Sequence, residues 1–129
     1  MVHFSNFFRY MEEAEHALWR AAGMTISPAS GLYGVAGSAA DPPGWPRIAA
    51  TCDFKTPLHF EDDFEVLVRI EAVSARTIKY AHEIVRGSEA ICTGTVTAVC
   101  VRRDVNGAVK AVAVPPDVLQ RLRAVLQAP

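Results

Sequence analysis

The first residues of the chain include side chains that can exchange protons or form hydrogen bonds, and they lie at the start of a predicted helix. Ser5 and Asn6 are residue types that cap helix N-termini. Apolar residues then recur at helical spacing: Phe7, Met11, Ala14, Leu18 and Ala21. The unpaired backbone N–H groups and the dipole of a helix start favour negative charge that develops on a carbonyl oxygen. A histidine such as His3, two residues before Ser5, can exchange a proton near neutral pH.

Composition bounds the class of protein. The 129 residues predict one domain over residues 1–129, and the hydrophobic share of 50% is that of a globular chain. A formal net charge of −1 without a basic run argues against nucleic acid. The three cysteines, an odd count without C-x-x-C spacing, predict free thiols in a reducing compartment. No secretory signal and no apolar run of about 18 residues is found, so we expect a cytoplasmic protein that makes no membrane contact.

The pattern along the chain predicts one long helix followed by an antiparallel sheet. The helix should run from about Ser5 to Ala22 and stop at Gly23, and residues 25–46 read as a loop with a turn of helix around 31–35. Period-two alternation then predicts strands in four stretches: 47–55, 64–73, 77–84 and 89–103. A short strand at 108–114 and a C-terminal helix after Pro115 complete an α+β layout in which the sheet wraps around the first helix.

The helix start carries a family resemblance. The motif V-[HFY]-[FYH]-x-N-[YF]-x-R-[WYF]-x-[ED] is filled by Val2, His3, Phe4, Asn6, Phe7, Arg9, Tyr10 and Glu12. In this motif and in looser matches at 46–66 and 114–117, the chain resembles hotdog-fold acyl-CoA thioesterases of the 4-hydroxybenzoyl-CoA thioesterase type. The resemblance implies an antiparallel sheet wrapped around one long N-terminal helix, with a short C-terminal helix. The family's first strand has no counterpart before Met1 in this sequence.

The resemblance also implies an activity and the residues for it. The expected reaction is hydrolysis of an acyl- or aroyl-CoA thioester without metal or other cofactor, in a homodimer or homotetramer whose pocket forms between subunits. The backbone N–H of Phe4 would polarise the thioester carbonyl. Expected substrate-binding residues are Ser5 and Asn6 at the helix start, Phe7 in its first turn, and the basic residues Arg76 and Lys79 for coenzyme A.

The attacking group is the open point of this assignment. The family's aspartate lies in a D-x-x-G turn before the motif, whereas no Asp or Glu precedes Glu12 here. Three explanations stand: a natural start further upstream that supplies the first strand and the aspartate, a helix carboxylate (Glu12 or Glu13) that substitutes for it, or a chain without catalytic activity. His3 has two interpretations as well, as a base that contacts substrate or as a packing residue.

Two rival functions remain beside the thioesterase. One is a non-catalytic hotdog protein that binds acyl thioesters. The other is a hotdog hydratase or dehydratase, which ranks low because the D-x-x-x-x-H pair of that chemistry is missing near the helix start. Among the other histidines we expect His16 to be solvated, His59 to lie in a surface loop and His82 to be a core residue. The acidic run 61–63 is expected to be a solvated turn and not a metal site.

Overall fold

The fold is a four-stranded antiparallel sheet crossed by one long helix. The computed structural model describes residues 3, 5–27, 32–35, 43–59, 61–103 and 106–127. In chain order the elements are α1 (Ser5–Ala21), β1 (Met24–Ser27), β2 (Leu32–Val35), β3 (Arg47–Phe54), β4 (Glu65–Val73), β5 (Thr77–Arg86), β6 (Glu89–Val99), β7 (Val101–Arg103), β8 (Val109–Ala111) and α2 (Pro116–Gln127). The predicted α+β layout with a short C-terminal helix is confirmed.

The main sheet has the strand order β3-β6-β5-β4, with every neighbouring pair antiparallel. Two hairpins build most of it, β4–β5 and β5–β6, and the second turns at Gly87, whose φ of 61° suits glycine. Within the described part of the chain, β3 and β4 are its outer strands. Both helices fall short of the length and apolarity that crossing a membrane requires, as far as the described residues go.

Two local predictions were wrong. Within the segment expected to be a loop with a helical turn, β1 and β2 pair antiparallel, with Ile26 opposite Tyr33. The β-branched and aromatic residues of these two strands favour extended backbone, and the flanking glycines and prolines had masked that preference. The long run 89–103 is interrupted at Cys100, whose backbone N–H donates to the Arg76 carbonyl, so that β7 leaves β6 to pair with β8.

The end of α1 follows the sequence signal. Gly23 adopts a φ of 80°, and its N–H donates to the Arg20 carbonyl at 3.0 Å, which ends the helix at the residue predicted to stop it. The guanidinium of Arg121 in α2 donates to the Ala22 carbonyl at 3.4 Å. The C-terminal helix therefore also caps the first one.

Between α1 and the sheet lie two apolar clusters. The helix-start cluster contains Phe7, Met11, Leu58, Ile84, Ile91, Cys92 and Val96. The α2-side cluster contains Leu18, Trp19, Ala22, Met24, Trp45, Ile78, Tyr80, Ala98, Cys100, Val118 and Leu122. Each cluster therefore combines one half of α1 with one end of the sheet, and only the second is covered by α2.

Gly94 on β6 sets how closely α1 approaches the sheet. A Cβ atom built on Gly94 would lie 2.6 Å from the carbonyl oxygen of Thr51 and would overlap the side chain of Met11. Since the Thr51 oxygen belongs to the neighbouring strand, the backbone itself would have to shift. The absence of a side chain here lets Met11 reach the sheet surface.

Candidate functional site

The start of α1 holds a histidine and a serine in direct contact. The backbone N–H of Ser5 donates to His3 Nδ1 at 3.3 Å, and the Ser5 hydroxyl lies 2.8 Å from the same nitrogen. Because Nδ1 accepts the amide hydrogen it carries no proton, and the hydroxyl is therefore the donor to it. The Asn6 N–H donates to the His3 carbonyl at 3.0 Å. Both His3 and Ser5 are exposed, so this polar pair faces solvent.

Phe4, the residue expected to polarise the carbonyl, lies outside the described residues, as do Met1 and Val2. The structure describes the chain immediately on either side of it, His3 and Ser5. The role of the Phe4 N–H therefore stays a prediction.

Aromatic side chains lie directly behind this helix start. Phe7 is buried, and its ring packs edge-to-face on Phe54 of β3 with 5.0 Å between centroids. Tyr10 approaches Phe7 at 6.0 Å and Phe64 at 4.9 Å. Phe54 is 50% exposed, although it is a large apolar ring. Sequence reasoning missed Phe54, because only the fold brings the end of β3 to the first turn of α1.

A buried polar network lies about two helical turns after Phe7 in α1. Glu15 is only 2% exposed, and its Oε1 accepts a hydrogen bond from Arg47 Nη2 at 3.1 Å. Its Oε2 lies 3.1 Å from His82 Nε2 on β5. The latter contact lacks hydrogen-bond alignment, so it is an electrostatic contact between a carboxylate and an imidazole. Glu15 and His82 form a polar layer between the two apolar clusters. On α1 and β5, the residues on one side of this layer belong to the helix-start cluster and those on the other side to the α2-side cluster.

Glu15 occupies a buried position that its charge would not predict. The buried positions of α1 are Phe7, Met11, Glu15, Leu18 and Trp19. The spacing of four from Met11 and three to Leu18 is that of the buried face. The spacing therefore indicated burial correctly. A carboxylate is tolerated at this buried position because the Arg47 guanidinium pairs with its charge. The prediction of His82 as a core residue is confirmed.

Glu12, the candidate helix carboxylate, lies on the exposed side of α1. Its Oε1 is 3.6 Å from His16 Nε2, one turn further along the helix. His16 is partly buried and not fully solvated as expected, and burial lowers its pKa while the Glu12 charge opposes that shift. His59 is exposed, as predicted. The contact with His16 directs the Glu12 carboxylate toward the helix C-terminus and away from Ser5.

The two basic residues expected to bind coenzyme A lie at the other end of the sheet. Arg76 is exposed in the β4–β5 turn, and Lys79 forms an ion pair with Glu71 at 3.2 Å. Their neighbour Ile78 belongs to the α2-side cluster, with the second half of α1. Within one chain the structure therefore does not bring Arg76 and Lys79 to His3 and Ser5.

Arg86 is the basic residue at the helix-start end of β5. Its Nη1 donates to Asp62 Oδ2 at 2.7 Å, and its Nη2 contacts Glu89. The same Asp62 oxygen accepts the His59 backbone N–H at 2.8 Å. That backbone hydrogen bond, aided by Arg86, holds the pKa of Asp62 below its usual range. The acidic turn is therefore tied to the sheet by Arg86, and no three His, Cys, Asp or Glu side chains among the described residues meet as a metal site.

Comparison with known proteins gives the family. A family model of the thioesterase-like superfamily matches residues 1–122. An Aquifex aeolicus (strain VF5) protein named "Putative esterase" is 30% identical over 125 residues, which cover 95% of this chain and 85% of the relative.

Solved structures agree on the fold. A 1,4-dihydroxy-2-naphthoyl-CoA thioesterase from Synechocystis superposes with a TM-score of 0.76 at 20% identity, covering 99% of this chain and 86% of that chain. A thioesterase from Thermus thermophilus, complexed with coenzyme A and Zn, gives a TM-score of 0.72 at 19% identity, covering 99% and 83%. The predicted hotdog fold is thereby confirmed. The chain belongs to the thioesterase-like superfamily, and its helix start, with His3, Ser5 and the Phe7–Phe54 contact, is the candidate active site.

Proposed function

We propose that this protein hydrolyses an acyl- or aroyl-CoA thioester at the start of α1, in the cytoplasm and within a single domain over residues 1–129. The observation that carries the proposal is the combination at one place of a polar pair and an exposed aromatic ring. His3 and Ser5 supply a proton acceptor and a hydroxyl 2.8 Å apart. Phe54, half exposed on Phe7, offers an apolar surface for an acyl or aroyl group.

The reaction follows from these groups. The Phe4 N–H donates to the thioester carbonyl oxygen and stabilises the negative charge that forms there. A water molecule attacks the carbonyl carbon while its proton passes, by way of the Ser5 hydroxyl, to His3 Nδ1. The C–S bond then breaks, and the proton returns to the sulfur of coenzyme A. Asn6 supports the site by fixing the first turn through its hydrogen bond to His3.

Glu12 is the second candidate for the base. Its ion pair with His16 would have to open before the carboxylate could reach a water molecule near the helix start. His3 needs no such rearrangement, because its Nδ1 already contacts the Ser5 hydroxyl. We therefore place His3 before Glu12 in the mechanism.

The proposal includes a homodimer or homotetramer with the pocket between subunits. The outer strand β3 is exposed along nearly its whole length and carries Ile48 at 61% and Phe54 at 50% exposure. Exposed apolar residues on a strand edge favour association when no other strand covers it, and none of the described strands covers this edge of β3. In such an assembly Arg76 and Lys79 of a second copy could bind coenzyme A, a role that the position of these two residues does not support within one chain.

A non-catalytic protein that binds acyl thioesters is the alternative. The observation in its favour is that Glu12 is held in an ion pair with His16, while Glu15 is buried in the polar network. Binding would then use the same helix start and the same aromatic surface, without turnover.

The test incubates the protein with a panel of short-chain, long-chain and aromatic acyl-CoAs. Chromatography then measures how much free coenzyme A each thioester releases. We expect turnover of at least one thioester, and His3→Ala should lower kcat by about 10²–10⁴-fold, the usual contribution of a general base. His59→Ala, which removes another exposed histidine, is the matched control and should leave kcat unchanged. Saturable binding without coenzyme A release would instead establish the binding protein, and neither binding nor release would refute both.

A further inference from the structure

Two of the three cysteines form a sulfur pair between β3 and β6. Cys52 Sγ lies 2.7 Å from Cys92 Sγ, which is closer than two thiols sit in ordinary van der Waals contact. In the strand register Cys52 is opposite Gly94 and Phe54 is opposite Cys92, so the two cysteines are diagonal neighbours. Cys92 belongs to the helix-start cluster, and Cys52 packs against it.

This geometry is close to that of a disulfide. The S–S length of a disulfide is about 2.05 Å, so the two sulfurs need to approach each other by less than about 1 Å. Both residues belong to the β3–β6 hydrogen-bond ladder, which holds the two strands together at this point. Closing the bond therefore requires only a small movement of the two sulfurs.

We propose that Cys52 and Cys92 are a redox site of this protein, a dithiol that a hydroperoxide converts to an intrachain disulfide. The difference in exposure sets the order of the steps. Cys52 is partly exposed and meets the oxidant, whereas Cys92 is buried and completes the bond.

The chemistry balances with one hydroperoxide. The Cys52 thiol loses its proton, and its sulfur attacks an oxygen of the O–O bond, which breaks to leave a sulfenic acid and an alcohol, or water when the oxidant is hydrogen peroxide. The sulfur of Cys92 then attacks the Cys52 sulfur, so that the S–S bond forms, the S–O bond breaks and a second oxygen leaves as water. The two sulfurs lose two electrons in total, and the peroxide gains them.

The disulfide would act on the region of the candidate active site. Cys52 lies two residues before Phe54, whose ring packs on Phe7 at the start of α1. A bond across β3 and β6 would hold this end of the outer strand in place. It would also close a loop between residues 40 positions apart in the sequence, which restricts the unfolded chain.

The experiment counts thiols in the folded protein after treatment with hydrogen peroxide. The protein is quenched, unfolded and alkylated, and its intact mass and peptides are measured. We expect the number of alkylated thiols to fall from three to one, with the Cys52 and Cys92 peptides linked and the bond reversed by dithiothreitol. The oxidised protein should melt roughly 5–15 °C above the reduced protein, as a loop of this length predicts.

Matched variants separate the pair from the third cysteine. Cys100 lies eight residues after Cys92, about 27 Å away along an extended strand. Cys100→Ser should still lose two thiols to peroxide, whereas Cys52→Ser, a change at a partly exposed position, should form no intrachain disulfide while keeping the far-UV circular dichroism of the parent. Retention of all three thiols, a bond that includes Cys100, or oxidation of single cysteines to sulfinic acid would each overturn the proposal.

Discussion

The two halves of the core differ in what covers them. Around the second half of α1, Trp19 packs on Trp45 with 5.2 Å between ring centroids and donates its indole N–H to the Tyr80 hydroxyl at 3.0 Å. Residues of α2, Val118 and Leu122, close this cluster from outside. Around the first half of α1 no described element takes the place of α2, and Phe54 stays half exposed on Phe7.

The two ends differ in how much of their apolar surface is exposed to solvent. The α2-side cluster is closed by both helices and the sheet and excludes solvent, as a region that stabilises the fold must do. Beside the helix-start cluster, the Phe54 ring, the Cys52 thiol and the His3–Ser5 pair are at least partly exposed to solvent. The Glu15–His82 layer lies between the two clusters.

The largest contrast should come from removing one aromatic ring at each end. Trp19→Ala deletes a buried side chain and its hydrogen bond to the Tyr80 hydroxyl, so the free energy of unfolding should fall by about 3–5 kcal/mol. Phe54→Ala removes a ring that is already half in solvent and should cost about 1–2 kcal/mol. Urea unfolding of both variants measures the contrast, and equal losses would mean that the two ends do not differ in this way.

The next largest loss of stability is expected in the Glu15–His82 layer. Glu15→Ala removes the carboxylate beside buried His82 and the acceptor of the Arg47 Nη2 hydrogen bond, and should lower the free energy of unfolding by about 2–4 kcal/mol. Glu12→Ala is the matched control, because it removes the same side chain three residues earlier from an exposed ion pair, at a cost below about 0.5 kcal/mol. Chemical denaturation that ranks the two variants alike would contradict the burial of Glu15.

A smaller loss is expected where α1 meets the sheet. Gly94→Ala forces the new Cβ against the Thr51 carbonyl and Met11, so the chain has to shift at the helix-start cluster. Overpacking of this kind typically costs about 1–3 kcal/mol. Thermal unfolding measures it. An unchanged or raised melting temperature would show that the close approach of helix and sheet is not needed.

The rate of disulfide formation between Cys52 and Cys92 should rise about tenfold per pH unit. Burial raises the pKa of Cys52 from 9.0 and raises that of Cys92 to about 12. The reactive form is the thiolate, and its fraction rises about tenfold per pH unit below the pKa. Disulfide formation with peroxide should therefore be slow near neutral pH and accelerate as the solution becomes alkaline, when followed by quenched thiol counting. A rate that levels off at pH 9 or below would contradict the raised pKa values.

The sequence predicted what local patterns determine. The stop at Gly23, the four strands of the main sheet and the C-terminal helix followed from periodicity and turn residues, and the family motif led to the helix start. The burial of Glu15 was not predicted, because it depends on Arg47 and His82, which are distant in sequence. Phe54 and the Cys52–Cys92 pair were missed for the same reason, since the register of β3 against β6 is a tertiary property.

The most direct test of the central assignment compares two exposed apolar residues. Phe54 is 50% exposed at the helix start, and Leu67 is 48% exposed on β4, on the sheet face opposite to α1. With the thioester that the wild-type protein hydrolyses best, Phe54→Ala should lower kcat/KM by about tenfold or more, a loss of about 1.4 kcal/mol of transition-state stabilisation. Leu67→Ala should stay within about twofold of wild type. Equal kcat/KM values for the two variants, or no hydrolysis of any thioester by the wild-type protein, would contradict a thioesterase site at the start of α1.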